Sequence, residues 1–138
     1  MTACRIALKP SWQLASILAG IHVAAAAGAV ASLSGMPLLL IVVGVLLSAA
    51  CTIADALLKL PSSVQDFELA EDGSGRWRDR GGHEHVVRSA QASWVSSGLV
   101  VLGLQSGRWR TRWVLLLPDS AAADPMRRLR VWLKWRPA

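Results

Sequence analysis

The sequence predicts a membrane-anchored α+β protein. A two-helix transmembrane hairpin precedes a small antiparallel β-sheet of four to six strands, which a C-terminal helix covers. Three observations support this fold class: residues 10–54 contain no Asp, Glu, Lys or Arg, short alternating segments with turn signals follow from residue 64, and the chain ends in an amphipathic basic segment. A hydrophobic content of 53% and a mean hydropathy of +0.39 are high for a soluble chain of 138 residues.

The charge-free segment is long enough for two membrane spans. We place them at about residues 14–33 and 37–54, because each then contains close to the ~20 apolar residues that cross a hydrocarbon core. The short connection between them makes the two helices antiparallel. Residues 1–60 are therefore expected to form an N-terminal tail and the hairpin, and residues 61–138 a cytoplasmic β-sheet domain with the C-terminal helix.

The orientation of the hairpin follows from the cations that flank the spans. Arg5 and Lys9 precede the first span and Lys59 follows the second, whereas the turn has neither Lys nor Arg. The positive-inside tendency then places both termini in the cytoplasm. A cleaved signal peptide, with Arg5 and Lys9 as its basic region, is the alternative. It fits less well, because the apolar stretch is long and a second span would still anchor the product.

Small residues recur at every fourth position of both spans, a spacing that permits close backbone approach between helices. We expect these two stripes to face each other and to pack the hairpin: Gly20, Ala24 and Gly28 in the first helix, Gly44 and Ser48 in the second. His22 then lies on the opposite side of the first helix, which also carries small residues. That second face is expected to meet a partner helix or a second copy of the chain in a homo-oligomer.

Two polar side chains are membrane-embedded in this arrangement. His22 lies within the first span, where packing or a single interhelical hydrogen bond is expected ahead of a proton or metal role. Asp55 lies at the end of the second span, four residues before Lys59. An i,i+4 ion pair between Asp55 and Lys59 is the simplest expectation for this carboxylate.

The pentapeptide SGRWR occurs twice, at residues 74–78 and 106–110. Both copies are interpreted as hairpin exits, in which Gly serves the turn and Trp begins a buried face. Alternation along a strand places the arginines on one face and Trp77, Trp109 and Trp113 on the other. The arginines are the candidate interaction face: Arg108, Arg110 and Arg112 in the last strand, and Arg76 and Arg78 in the earlier one.

Several partners fit the arginine face. Membrane lipid is one, because the sheet begins only a few residues after the second span and cations near an anionic leaflet are favourable. An acidic protein fits equally well, and a solvated charged face needs no partner. Nucleic acid is not expected, because bases stack on exposed rings and here the rings and the cations are predicted on opposite sides of the strand.

The final segment predicts a helix with Asp124 as its N-cap and Pro125 in its first turn. Its apolar stripe is expected to cover the sheet and consists of Met126, Leu129, Trp132 and Leu133. A basic amphipathic helix that carries Trp also suits a lipid surface, so that alternative stays open.

No motif for catalysis or cofactor binding occurs. The chain has no Gly-rich phosphate loop, no CxxC pair and no nucleophile elbow, so we predict no catalytic residues, no cofactor and a non-enzymatic protein. His83 and His85 would share one face of a strand, but two ligands without a third do not make a metal site, and none is predicted. Cys4 and Cys51 are expected to be free thiols.

Several short motifs in this order resemble the YgfX family. They are Ser11-Trp12, Ile21-His22, Asp55 at the end of the second span, and LPDS at residues 117–120 followed by RRLRVWL. The family comprises bacterial inner-membrane proteins, also called CptA toxins. The resemblance implies the toxin half of an atypical toxin–antitoxin pair whose partner is the succinate dehydrogenase flavinylation factor SdhE.

The resemblance further implies interference with cell division and shape through contact with the cytoskeletal proteins FtsZ and MreB. The family supplies no catalytic residues, which agrees with a protein that acts by binding. The alternative is a membrane scaffold or assembly protein that works with the flavinylation factor and has no toxicity. Misshapen or filamentous cells on overexpression are expected only of the toxin.

Overall fold

The computed structural model describes residues 2–135, and the side chains of residues 4–91 and 94–135. Three helices and seven strands follow one another in this part of the chain. Their bounds are β1 (Thr2–Ala7), α1 (Trp12–Ser32), α2 (Gly35–Ala56), β2 (Val64–Ala70), β3 (Gly75–Asp79), β4 (Glu84–Val87), β5 (Ser89–Val95), β6 (Val100–Gln105), β7 (Thr111–Leu116) and α3 (Ala123–Trp135). The predicted fold class, a helical hairpin followed by antiparallel sheet and a C-terminal helix, is confirmed.

Helices α1 and α2 are both long and apolar enough to cross a membrane. Their large apolar side chains point away from the rest of the molecule, as expected for residues that would contact lipid: Leu39, Leu40 and Leu47 are each more than half exposed. Gly35 begins α2 with a φ of +70°, a conformation that glycine adopts without steric cost, and it allows the short reversal between the helices.

The two helices do not pack through the predicted glycine stripes. A Cβ atom on Gly20, Gly28 or Gly44 would meet nothing within 4 Å outside its own helix, so no backbone approaches these positions closely. The predicted contact of Gly20, Ala24 and Gly28 with Gly44 is therefore wrong. The half-buried residues show the actual interface instead: Ala19, His22, Ala26 and Ala29 in α1 and Leu38, Val42, Val45 and Ala49 in α2.

The observed interface has the alternating three- and four-residue spacing of a coiled-coil seam. Alanines of α1 lie against the larger Leu38, Val42 and Val45 of α2, so small side chains on one helix accommodate large ones on the other. The face around His22, which we expected to meet a second copy of the chain, is thus used inside the hairpin.

The strands form two antiparallel sheets. The first has the order β1-β2-β3-β4 and the second the order β5-β6-β7. The count exceeds the predicted four to six strands for two reasons. The N-terminal segment, expected to be a tail, pairs with β2 across the hairpin that separates them in sequence. In addition, residues 84–95 are divided at Arg88 into β4 and β5, which belong to different sheets.

One hydrophobic core lies between the two sheets and α3. Helix α3 buries Met126 and Leu129 completely or nearly so, with Trp132 and Leu133 packed at the margin, which confirms the predicted stripe. The other fully buried apolar side chains come from both sheets: Ile6, Phe67, Leu69 and Val87 from the first, and Val100, Leu102, Leu104 and Leu116 from the second. Because both segments that flank the hairpin contribute to this core, the two helices are joined to it at their adjacent ends.

Candidate functional site

Each SGRWR segment is followed two residues later by a further arginine, and both of these arginines reach the end of α2. The Nη1 group of Arg80 donates to the carbonyl oxygen of Leu58 at 2.7 Å. The Nη2 group of Arg112 donates to both carboxylate oxygens of Asp55, at 2.9 and 3.0 Å. A helix C-terminus carries partial negative charge, so two cations placed there stabilise it. The first sheet is thus tied to α2 through Arg80 and the second through Arg112.

Asp55 also accepts a hydrogen bond from the hydroxyl of the fully buried Ser63, at 2.7 Å. The predicted ion pair with Lys59 is wrong. An i,i+4 pair requires helical geometry up to Lys59, but Leu58 has a φ of +54° and the Lys59 amide donates back to Ala54, as in a helix-terminating motif. The helix has therefore ended before Lys59, and the carboxylate is held by the sheet domain instead.

The start of α1 is held in a similar way by the LPDS segment. Ser11 is the N-cap: its hydroxyl oxygen accepts from the Leu14 amide at 3.1 Å and its hydroxyl donates to Asp119 at 2.7 Å. The second oxygen of Asp119 accepts from the Gln13 amide at 3.0 Å. A carboxylate at a helix N-terminus pairs with otherwise unsatisfied amides and with the positive end of the helix dipole. The serine before an apolar run is a sequence signal for this cap, but nothing in the sequence identified Asp119 as its partner.

The two helix ends also contact each other, because the Ser11 amide donates to the Ala56 carbonyl oxygen at 3.0 Å. We call this region, defined by Ser11, Asp55, Arg80, Arg112 and Asp119, the membrane junction. Its contacts join both helices to both sheets through charged and hydroxyl groups. The hairpin and the sheet domain are therefore coupled by specific hydrogen bonds rather than by a linker alone.

A cavity of about 210 Å³ lies at the membrane junction. Leu14, Leu18 and Thr52 of the helices form one side, and residues 112–115 of β7 form another. Strand β7 is at the edge of its sheet, which explains why consecutive residues from both of its faces reach the cavity. The lining is mostly apolar, and its charged members are Lys9, Asp55 and Arg112.

His22 connects the two helices within the hairpin. Its Nδ1 lies 2.7 Å from the carbonyl oxygen of Leu18, and its Nε2 lies 3.1 Å from the hydroxyl of Ser48. Because a carbonyl oxygen only accepts, Nδ1 carries a proton in this arrangement, and the Ser48 hydroxyl is the hydrogen-bond partner of Nε2. The contact with Ser48 is an interhelical hydrogen bond of the kind expected from the sequence. Its partner helix is α2, however, whereas His22 was expected on the side of α1 that faces away from α2.

Arg108 and Arg110 are exposed, but the prediction that Arg112 shares an exposed strand face with them is wrong. Residues 108–110 lie in the turn before β7, and Arg112 shares the inward face of that strand with Val114, whose register partner is the buried Leu102. Trp109 and Trp113, expected to be buried, are 89% and 52% exposed. Residues 114–117, the apolar run that begins in β7 and continues one residue past it, did not reveal which face of the strand lies against the core. The pairing of β7 with β6 decides it.

The turn at residues 106–110 therefore presents cations and a ring together. The Arg108 guanidinium carbon lies 5.9 Å from the centroid of the Trp109 ring, and Arg110 is exposed next to it. Within the described residues, neither arginine forms an ion pair. The geometric argument against nucleic acid, which placed rings and cations on opposite sides, does not apply to this turn.

The first SGRWR segment has the predicted alternation, with Trp77 buried and Arg76 and Arg78 exposed. Both arginines are paired with carboxylates: Arg78 lies 2.7 Å from Glu84, and Arg76 lies 3.8 Å from Glu84 and 3.9 Å from Glu68. The hydrogen bond and charge of Arg78 lower the pKa of Glu84. These pairs leave little unbalanced positive charge for a partner, so Arg76 and Arg78 are weaker candidates than Arg108 and Arg110.

The two histidines of interest both contact Asp79. His83 Nδ1 and His85 Nε2 lie 3.4 and 3.2 Å from its two carboxylate oxygens. Desolvation opposes ionisation of Asp79, but the His83 amide and the two imidazoles together lower its pKa. His85 also stacks on Trp77 with ring centroids 4.1 Å apart. Among the described residues, no group of three or more His, Cys, Asp or Glu is arranged to hold a metal.

Comparison with known proteins agrees with the resemblance seen in the sequence. No curated protein and no solved structure matches the chain. The family model Cpta_toxin, described as the membrane-bound toxin component of a toxin–antitoxin system, matches residues 2–137. The match covers the hairpin, both sheets, α3 and every residue of the membrane junction. The chain therefore belongs to the family of membrane-bound toxin components of toxin–antitoxin systems.

Proposed function

We propose that the protein inhibits bacterial cell division and cell shape by binding the cytoskeletal proteins FtsZ and MreB, without enzymatic activity. The observation that carries the proposal is the turn at residues 106–110. It presents Arg108 and Arg110, which form no ion pair with any side chain that the structure describes, beside the exposed ring of Trp109 and two residues from the Arg112 contact with α2. Exposed Arg and Trp are the side chains that contribute most to protein–protein contacts.

The proposed location is the bacterial inner membrane, crossed twice, with both termini in the cytoplasm. The flanking cations Lys9 and Lys59 support this orientation, and Arg80 adds a further one at the same end of the hairpin. A binding surface fixed close to the cytoplasmic leaflet lies where membrane-associated filaments assemble.

The net charge of +6 favours association with acidic partners. The antitoxin role is proposed for an SdhE-type flavinylation factor.

The test is cell length and width by microscopy after induction of the full chain. We expect the intact protein to give filamentous or misshapen cells and the Arg108→Gln/Arg110→Gln variant to leave cell shape unchanged at equal abundance in the membrane. Arg76→Gln/Arg78→Gln removes the same charge from the paired face and is the matched control, which should stay toxic. Arg112 is excluded from the variant because its loss would disturb the membrane junction.

A second readout tests the targets directly. Full-length protein in nanodiscs should reduce the sedimentation of FtsZ or MreB polymers, the Arg108→Gln/Arg110→Gln variant should not, and added SdhE should restore polymerisation. If both double variants remain equally toxic, the turn is not the contact surface. If well-expressed intact protein leaves cell shape unchanged, the toxin proposal fails and the scaffold for the flavinylation factor replaces it. Salt-dependent retardation of DNA or RNA by the full chain would favour nucleic acid instead.

A further inference from the structure

We infer that the cavity at the membrane junction binds one anionic phospholipid from the leaflet next to the sheet domain. The inference rests on the proposed crossing of the membrane by α1 and α2, but not on any toxin target. The cavity contains both features that a phospholipid requires, an apolar wall continuous with the hydrocarbon region and a cationic end.

The apolar wall belongs to the helices themselves. Leu14 and Leu18 lie one turn apart on α1, so the wall extends about 6 Å along the span from the end of the sheet domain. Leu115 of β7 faces the same space. An acyl chain entering from the bilayer would exchange contact with other chains for contact with these leucines, at little cost in hydrophobic free energy.

The side chains that line the polar end of the cavity include more cations than carboxylates. The carboxylate of Asp119, which contacts the lining residue Ser11, is already held by the Ser11 hydroxyl and the Gln13 amide. The charged lining residues are Lys9 and Arg112 against the single carboxylate of Asp55. Asp55 occupies only the Nη2 group of Arg112, whose side chain is still 35% exposed. Within the described residues Lys9 forms no ion pair, and its amide is fixed to the Ser120 carbonyl oxygen at 2.7 Å. A phosphodiester placed here would be attracted by Lys9 and Arg112 together.

The position of the cavity along the hairpin agrees with the depth of a lipid phosphate. The cavity lies where α1 begins, at Trp12, and where α2 ends, at Ala56. Trp12 is 71% exposed and Trp113, which lines the cavity, is 52% exposed, as expected for rings in the interfacial layer. A volume of about 210 Å³ is too small for a whole phospholipid, so the site takes the glycerol phosphate and the upper part of one chain.

Native mass spectrometry of the full chain, released from a nonionic detergent with added phosphatidylglycerol or phosphatidylcholine, tests the inference. We expect one retained phosphatidylglycerol per chain. Lys9→Gln should lower the ratio of phosphatidylglycerol to phosphatidylcholine adducts about five-fold, the factor that corresponds to ~1 kcal/mol for one cation near an anionic lipid. Lys59→Gln removes a cation that follows α2 but does not line the cavity, and it should leave this ratio unchanged.

A second pair of variants tests the apolar wall. Leu14→Phe fills the cavity and should remove the single adduct of both lipids, whereas Leu47→Phe on the exposed side of α2 should retain it. A graded series of adducts that is the same in all four variants would show nonspecific lipid and overturn the inference. Displacement of the adduct by inorganic phosphate would also overturn it, because the site would then recognise phosphate alone. The adduct is counted whether or not the protein deforms cells, so the two proposals fail separately.

Discussion

The two SGRWR segments have the same five residues and opposite environments. Trp77 of the first is 8% exposed and stacks on His85, whereas Trp109 of the second is 89% exposed. The first segment lies in β3, which is hydrogen-bonded on both sides by β2 and β4, and the second forms the turn between β6 and β7. The neighbouring strands, and not the pentapeptide itself, therefore decide whether its tryptophan belongs to the core.

The two segments also differ in whether their arginines are paired with carboxylates. Arg76 and Arg78 of the first share the carboxylates of Glu68 and Glu84 across adjacent strands. The arginines of the second have no carboxylate partner among the described residues. One copy therefore stabilises the first sheet, and the other remains available for contact with another molecule.

The two copies also meet, because the Trp77 indole Nε1–H donates to the Ser106 hydroxyl at 3.1 Å. Of the substitutions in the two segments, Trp77→Ala should have the largest effect on stability. Removal of a buried indole, its stacking on His85 and this hydrogen bond should lower the free energy of unfolding by about 3–5 kcal/mol. Trp109→Ala is the matched control and should change it by less than about 0.5 kcal/mol. Thermal unfolding in detergent, followed by circular dichroism, measures both, and equal effects would contradict the assigned environments.

The next largest difference in stability is expected between substitutions of the glycines in the two segments. A Cβ on Gly75 would overlap the backbone carbonyl of Glu68 on β2, whereas a Cβ on Gly107 would meet nothing within 4 Å. Gly75→Ala should therefore destabilise the protein by about 1–3 kcal/mol, because the strands must separate to admit the methyl group. Gly107→Ala should be close to neutral in the same unfolding experiment. A destabilised Gly107→Ala with an unaffected Gly75→Ala would reverse the comparison.

The membrane helices and the C-terminal helix were predictable because their signals are local. The absence of charge over residues 10–54 and the apolar stripe that contains Met126 and Leu129 each indicate a helix without reference to the rest of the chain. The start of α1 at Trp12 lies within two residues of expectation. Helix α3 begins at Ala123, so Asp124, which was predicted to be its N-cap, lies in its first turn instead.

The membrane junction was not predictable, because its contacts join residues that are distant in sequence. Ser11 and Asp119 are separated by 108 positions, and Asp55 and Arg112 by 57. The spacing of apolar residues along the chain does not indicate that such distant residues are in contact. In β7 this spacing does not even indicate which face of the strand is buried. The run from Val114 to Leu117 is apolar at every position, so alternation could not show that Arg112 faces inward. The inward face follows only from the pairing of β7 with β6.

The arginines that follow the two segments both contact the end of α2, but they bind different groups there. Arg112→Gln removes a two-oxygen contact with a carboxylate and leaves Asp55 with the hydroxyl of Ser63. We expect a loss of about 1–2 kcal/mol in the free energy of unfolding, reduced from that of a buried pair because both side chains are partly exposed. Arg80→Gln loses one bond to the Leu58 carbonyl and should cost less than about 1 kcal/mol. Chemical denaturation of both variants in one detergent makes the comparison, and a larger loss for Arg80→Gln would contradict it.

The smallest expected difference between the two segments is in how each contributes to the pH dependence of the melting temperature. Hydrogen bonding and charge from Arg78 lower the pKa of Glu84 in the first segment. A carboxylate with a lowered folded-state pKa stabilises the protein above its unfolded pKa, and this contribution is lost as the pH falls through the folded value. The melting temperature should thus fall on acidification below about pH 5, and it should fall less in Glu84→Gln than in the intact protein. Arg110 forms no ion pair within the described part of the chain, so Arg110→Gln should keep the full acid dependence. If Glu84→Gln also keeps it, Glu84 is not a source of this dependence.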